Sequence, residues 1–271
     1  MALRLLWFPA FAGMTGCGGA LETERASTHP TIVSLNPCAD AILHEVAAPG
    51  QLLAVSHYSH DPGATSMVLA DALQYKATGG TVEEVLALAP DIVVADTFLA
   101  PATREALEAA GVAIVSVGMV SSLEDSLGQI ALLGETVGAP ERAALLAGTV
   151  QSAWDNAASD AAPVATLLWQ DGGIVAGEGS LAFALLEQSG FTSHSAARGL
   201  GQGAYLPLEQ VLADPPELIL ASGGERVLTH PVLGALDGVR YATFDSALLY
   251  CGGPTIPRAL ERLGEIRRQA G

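Results

Sequence analysis

The segment TVEEVLALAPDIVVADT, Thr81 to Thr97, decides the fold once it is set beside PLEQVLADPPELILASG, Pro207 to Gly223. The two align without a gap at a constant offset of 126 residues. Glu83/Glu209, Val85/Val211, Leu86/Leu212, Ala87/Ala213, Pro90/Pro216 and Ala95/Ala221 are identical, and hydrophobic positions match through both runs. Each copy reads as a short helix that feeds a buried strand through a proline-bounded turn. A solenoid needs three or more stacked units, so two copies this far apart indicate two similar lobes. The plainer alternative is chance similarity between two ordinary helix-to-strand connections.

Outward from the first copy, apolar β-rich runs alternate with helical patterns. Strands are expected at Thr31–Leu35, Leu52–Ser56, Asp91–Ala95 and Val112–Val117, with helices at Glu83–Leu88 and Pro101–Ala110, the latter ended by Gly111. A second series has strands at Val164–Trp169, Leu218–Ala221 and Tyr241–Phe244 and helices at Ser180–Gln188 and Pro254–Arg268. Runs that are apolar on both faces suit parallel sheets covered by helices. Residues 122–158 carry no strand signal; Gly138 and Pro140 split them, and Pro140 suits the first turn of a helix running to about Asn156. Such a helix spans ~28 Å and reads as a rigid strut between lobes, or else as an ordinary crossover in one larger sheet. The chain then divides into a leader and linker (1–28), an N-terminal α/β lobe (29–121), a helical connector (122–160) and a C-terminal α/β lobe (161–271).

Of 271 residues half are hydrophobic and only 15% charged, which permits a sizeable core and argues against wholesale disorder. Twelve basic residues against 29 acidic ones give a net charge of −17, which opposes contact with phosphate backbones and anionic membranes and favours a basic docking partner. At 5% aromatic content a base-stacking platform is not expected. Apolar runs fall short of the ~18 to 20 residues that span a bilayer. Nucleic-acid binding and integral membrane function are set aside. Arg4, the apolar stretch Leu5–Met14 and the small residues Thr15 and Gly16 describe a secretory leader, with Cys17 as a candidate for lipidation. A mis-chosen start codon is the alternative. Cys38 and Cys251 lack the CxxC spacing of a zinc or redox site. They either pair in an oxidising compartment or lie buried as small hydrophobes.

The blocks IVSLNP (Ile32–Pro37), Glu83–Val94, its second copy, and Ser180–Gly190 resemble the iron-complex/cobalamin family of ABC-transporter substrate-binding proteins, over roughly residues 31–268. The resemblance implies two α/β lobes with central parallel sheets, joined by a single long rigid helix, with ligand in the cleft between them. It implies a protein that catalyses nothing; together with the leader, the reading is of a monomer exported to the periplasm that holds no cofactor. Its cargo would be a metal chelate, a ferric siderophore or haem-like compound, or cobalamin, delivered to the membrane permease. It also implies that an exposed glutamate on each lobe docks onto arginines of the transmembrane subunits, and the matching residues are Glu83 and Glu209. From the residues alone, both sit in a helix's first turn, where a carboxylate gains ~0.3 to 1 kcal/mol from the helix N-terminus. Thr81 and Glu84 form a capping box, which gives Glu84 a local role. Cobalamin-binding relatives line the cleft with several tryptophans, whereas this chain has Trp7, Trp154 and Trp169. Arginines suited to an anionic siderophore are few: Arg198, Arg226 and Arg240.

Open α/β sheets place ligands at the carboxyl ends of their strands. The loops there hold Asn36, Pro37 and Cys38, then His57, Tyr58 and His60, then Thr97 and Phe98 in the first lobe. In the second they hold Trp169, Gln170 and Asp171, Ser222 and Gly223, then Tyr250 and Cys251, joined by Tyr205. His57 and His60 read as hydrogen-bonding partners of an organic ligand, as plain loop residues, or as imidazole ligands; the last gives an alternative function, direct transition-metal transport, to which Cys38 and Cys251 could add soft ligands. A two-lobed enzyme binding a nucleotide or metal cofactor is the other class. The string Gly177-Glu-Gly179-Ser-Leu-Ala182 fits a GxGxxA fingerprint but lacks the acidic residue ~20 positions on that would hold a ribose. A glycine turn with Ser180 capping the next helix explains it equally well. The sequence contains no GxSxG, Walker A or HExxH motif.

Overall fold

A computed structural model describes residues 29–223 and 236–270. The expected leader, Cys17, Trp7 and Arg226 lie outside the described residues. The N-terminal sheet contains β1 (Ile32–Ser34), β2 (Leu52–Ser56), β3 (Lys76–Thr78), β4 (Ile92–Asp96) and β5 (Ala113–Val117). All are parallel, in the order β3-β2-β1-β4-β5. With them run α1 (Pro37–Val46), the single turn α2 (Leu69–Ala72), α3 (Val82–Leu86) and α4 (Pro101–Ala109). Two helices follow without a strand, α5 (Leu123–Thr136) and α6 (Pro140–Ala157), the second opened by Pro140. The C-terminal sheet comprises β6 (Val164–Gln170), β7 (Ile174–Val175), β8 (Phe191–Ser193), β9 (Ala204–Tyr205), β10 (Leu218–Ser222) and β11 (Arg240–Thr243). Its order is β11-β10-β6-β7-β9, with β8 beside β6 and β7 antiparallel to both its neighbours. Its helices are α7 (Leu181–Gln188), α8 (Leu208–Ala213) and α9 (Thr255–Ala270).

Side chains alternate across each strand, and that alternation sorts the core. In the first lobe Val33, Ala54 and Val93 face Val85 of α3 and Leu107 of α4. Ile32, Val55 and Val94 face the opposite way, among Ile42 and Leu43 of α1 and Ile130 of α5. In the second lobe Leu167 and Ile219 face Val211 of α8, while Leu168 and Leu220 face α7 and α9. The inner layers of both lobes merge into one core through α5, α6 and α9. The strut is therefore packed along its length rather than spanning open solvent.

The lobes are also joined at a second place by contacts of the segment before α9. Cys38, in the first turn of α1, forms a disulfide with Cys251, their Cα atoms 5.0 Å apart across a sequence separation of 213. The amide of Gly253 donates to Ser126 Oγ of α5 at 2.8 Å, and Arg258 Nη1 donates to the Ser66 carbonyl at 2.9 Å. A Cβ on Gly253, which has φ 63°, would stand 2.6 Å from Ile42 Cγ1, so only glycine allows this approach. The short strands β3, β7, β8 and β9 were not expected from the sequence. Two or three residues are too few to show a period of two. Among the described residues no helix is long and apolar enough to cross a membrane.

Candidate ligand-binding cleft

At the carboxyl end of β2 the hydroxyl of Ser56 accepts from the Tyr58 amide at 3.3 Å and starts a 3-10 turn, His57–His60. His57 and Tyr58 stand outward with ring centroids 4.1 Å apart. His60 turns back, with a ring nitrogen 3.1 Å from the Ala72 carbonyl. Ser56, His57, Tyr58, Gly79, Gly80 and Asp96 rim a hollow of about 250 Å³. Asp96 Oδ1 accepts from the Phe98 amide at 2.6 Å and fixes the turn that carries that ring. Asn36 is an N-cap: its Oδ1 accepts from the amides of Cys38 and Ala39 at 2.9 and 3.0 Å, and Pro37 is the first helical residue. Its side-chain oxygen is thus occupied by α1 rather than offered to a ligand.

On the second lobe the Tyr250 hydroxyl donates to Gln170 Oε1. Desolvation of the hydroxyl end, which is turned onto Gln170 while most of the ring stays exposed, pushes the Tyr250 phenol above its ordinary pKa, and the nearby Asp171 carboxylate adds to it. The Tyr205 ring lies over Gly173, where a Cβ would come within 2.6 Å of it. Tyr58, Phe98, Tyr205 and Tyr250 are 53, 77, 63 and 62% exposed, far above the usual state of aromatic rings. Residues of both lobes line a second hollow of about 310 Å³: Met119, Val120 and Ser121 after β5, and Gln170, Ile174 and Tyr250 opposite. A roomier depression of about 530 Å³ lies between the ends of α6 and α9. It sits where the chain enters β6, at the opposite end of the strands from the cleft.

Several expected wall residues stand elsewhere. Trp169 is only 7% exposed and packs with Leu206, Val211 and Ile219 on the α8 side of the sheet. Ser222 is buried at the end of β10. Cys38 and Cys251 spend both thiols on one disulfide, which removes them as soft metal ligands and overrides the reading of two separate buried thiols. Arg198 is paired with Asp214 and donates to the His194 carbonyl at 2.8 Å. Arg240 opens β11, away from the cleft, and lies 3.7 Å from Glu217. Among the described residues there is no group of three or more His, Cys, Asp or Glu that could hold a metal ion. The GxGxxA string is a turn: Ser180 Oγ accepts from the Phe183 amide at 3.1 Å and caps α7. Gly177 lies so close to the Leu200 carbonyl that a Cβ would meet it at 2.1 Å.

Residues missed from the sequence are Met119–Ser121 and Ile174. The strand-end rule, extended to the loop after β5, would have found the first group. Ile174 sits in a two-residue strand with no readable pattern. Glu83 and Glu209 are both exposed in the first turns of α3 and α8. Glu84 is engaged instead, its carboxylate accepting from the Gly79 amide at 2.8 Å and the Thr78 hydroxyl at 3.1 Å. The Thr78 bond is the main reason its carboxyl lies below the ordinary value. The capping box is thus stretched: Thr81 Oγ1 accepts from the Glu84 amide at 3.3 Å, while the glutamate reaches back to Gly79.

Two α/β lobes, bridged by packed helices, share a hollow at the carboxyl ends of their strands. The chain belongs to the periplasmic binding protein family, whose model matches residues 32–241. Solved structures of similar fold include the periplasmic heme-binding protein RhuT from Roseiflexus sp. RS-1, with TM-score 0.69, 22% identity, and coverage of 89% of this chain and 97% of that one. The periplasmic heme-binding protein HutB of Vibrio cholerae gives TM-score 0.73 at 18% identity, covering 88% and 98%. The periplasmic vitamin B12 binding protein BtuF of Vibrio cholerae gives 0.68 at 20%, covering 89% and 98%. At these identities the likeness shows the fold. No curated protein matches the chain in sequence.

Proposed function

We propose that this chain is the exported, monomeric substrate-binding component of an ABC importer and that its cargo is a metal chelate held between the lobes, with a planar tetrapyrrole as the best fit. The observation that carries the reading is the set of four exposed aromatic rings at the strand ends, Tyr58 and Phe98 on one lobe and Tyr205 and Tyr250 on the other. Apolar rings with a few polar handles suit a broad, largely apolar ligand. Solved relatives of similar fold bind haem and vitamin B12, which agrees with this class of cargo. Glu83 and Glu209 are the docking points for arginines of the permease. Reversing both charges should stop uptake and leave ligand affinity unchanged; a fall in affinity would contradict their assigned role.

The test is a thermal-shift panel on the purified protein with haem, cobalamin, several ferric siderophores, and free zinc, manganese and iron. A ligand at a hundred times its Kd adds ~2.7 kcal/mol, an easily resolved rise in melting temperature. A selective rise with a tetrapyrrole is expected. A rise with bare metal only would replace this reading with direct metal transport through His57 and His60.

A further inference from the structure

The carboxyl of Asp40 is wholly buried in α1. Oδ2 accepts from the Ser56 amide at 2.9 Å and from the Ser59 hydroxyl at 2.6 Å. Both donors belong to the segment that presents His57 and Tyr58 to the cleft. Ser59 is the inward-facing, buried residue of that turn. Oδ1 makes no hydrogen bond of good geometry; the Ser34 hydroxyl on β1 is close enough to lower the carboxyl's pKa, but its bond is made to the Asn36 carbonyl at 3.3 Å. A half-satisfied carboxyl inside a lobe is unfavourable for stability, and a leucine there would bury apolar area instead. What the aspartate supplies is two directed hydrogen bonds to one turn.

We propose that Asp40 is a positioning residue for the cleft: from inside the N-terminal lobe it fixes the His57–His60 turn and so sets where the His57 and Tyr58 rings stand. The ligand half of this inference rests on the cleft reading above; the turn half does not. Among the described residues, the polar neighbours that shape the carboxyl's environment are Ser34 on β1, Ser56 on β2 and Ser59 on the turn, and no charged side chain contributes. The titratable side chains on the turn itself are His57 and His60. Burial raises the Asp40 pKa to about 7; on ionising, its two bonds to the turn become charge-assisted, a local gain for the turn set against the global cost of ionising a buried carboxyl.

The test compares wild type, Asp40→Leu and Asp40→Asn by amide exchange at Ser56–His60 between pH 5 and 9, corrected for intrinsic rates, with haem and cobalamin affinity read alongside. In Asp40→Leu the turn should exchange at least about tenfold faster, and affinity should fall about tenfold, the size of one to two net hydrogen bonds. Exchange in the α5 and α6 core should stay slow. Asp40→Asn keeps an acceptor and should recover most of the affinity, while losing the gain in turn protection that wild type shows near pH 7. Unchanged turn exchange in Asp40→Leu would overturn the proposal, as would faster exchange spread evenly over the lobe. A pH step that survives in Asp40→Asn belongs to the histidines and overturns it too. If no variant, wild type included, binds either tetrapyrrole, the exchange result still decides the role of Asp40 and only the cargo reading fails.

Discussion

Asp40 and Glu84 are two carboxylates of one lobe with opposite effects on stability. Burial lifts Asp40 from 3.8 to about 7, so the folded chain keeps a proton that the unfolded chain has lost. Its contribution to stability is greatest below pH 4, declines as pH rises toward 7, and is constant beyond. Glu84, held down chiefly by the Thr78 hydroxyl, contributes stability above its unfolded value of 4.5 that is lost as pH falls further. The expected outcome is a melting temperature that falls between pH 5 and 8 in wild type, with a smaller fall in Asp40→Asn. Parallel curves for the two proteins would show that Asp40 does not titrate in that window. Single residues were the least legible scale in the sequence. Tyr58, Phe98, Tyr205 and Tyr250 could be placed at strand ends because that rule needs only the strands. Trp169 and Ser222 obey the same rule and are buried, because the face of the strand decides and a loop boundary does not reveal it.

The repeated element is legible because both copies bury the same periodic positions, Val85 and Val211 inside their lobes and Val93 and Ile219 in the strands. The copies differ in their turns. Ala89 takes φ 47°, a left-handed closure of α3, whereas Pro215 at the equivalent place cannot adopt it. Thr81 caps α3 through its side chain, while Pro207 holds the same place before α8 without a side-chain bond. Gly252 and Gly253, ahead of α9, carried no signal in the sequence because the reason for them lies in the other lobe. A Cβ at Gly252 would approach Ser126 Oγ to 2.7 Å, and one at Gly253 would approach Ile42. Gly253→Ala should therefore cost about 1–3 kcal/mol in urea unfolding, through both overlap and positive φ. A loss below a few tenths would mean that α1 and this loop yield easily.

Among the described residues the lobes are held by the packed α5–α6 pair and by the segment stapled by Cys38–Cys251. A staple beside the helical bridge should restrict hinge motion more than a lone strut would. The alternation of strands and helices made the two lobes readable, but the pairing of cysteines 213 residues apart depends on how the lobes face each other. No local pattern encodes that. Replacing both cysteines by serine should lower unfolding free energy by about 2–4 kcal/mol. It should also broaden the distribution of lobe separations measured by spin labels placed on α4 and α8. An unchanged distribution would show that the shared core alone sets the cleft angle.

The central claim is that one chelate is held by both lobes at once. The most direct measurement is an absorbance titration of haem into wild type, Tyr58→Ala and Tyr250→Ala, with cobalamin run in parallel. The account predicts saturable one-to-one binding of a tetrapyrrole by wild type and at least about tenfold weaker binding in each variant, since each removes a ring from a different wall. Binding that neither substitution alters, or no binding of either tetrapyrrole, would contradict it.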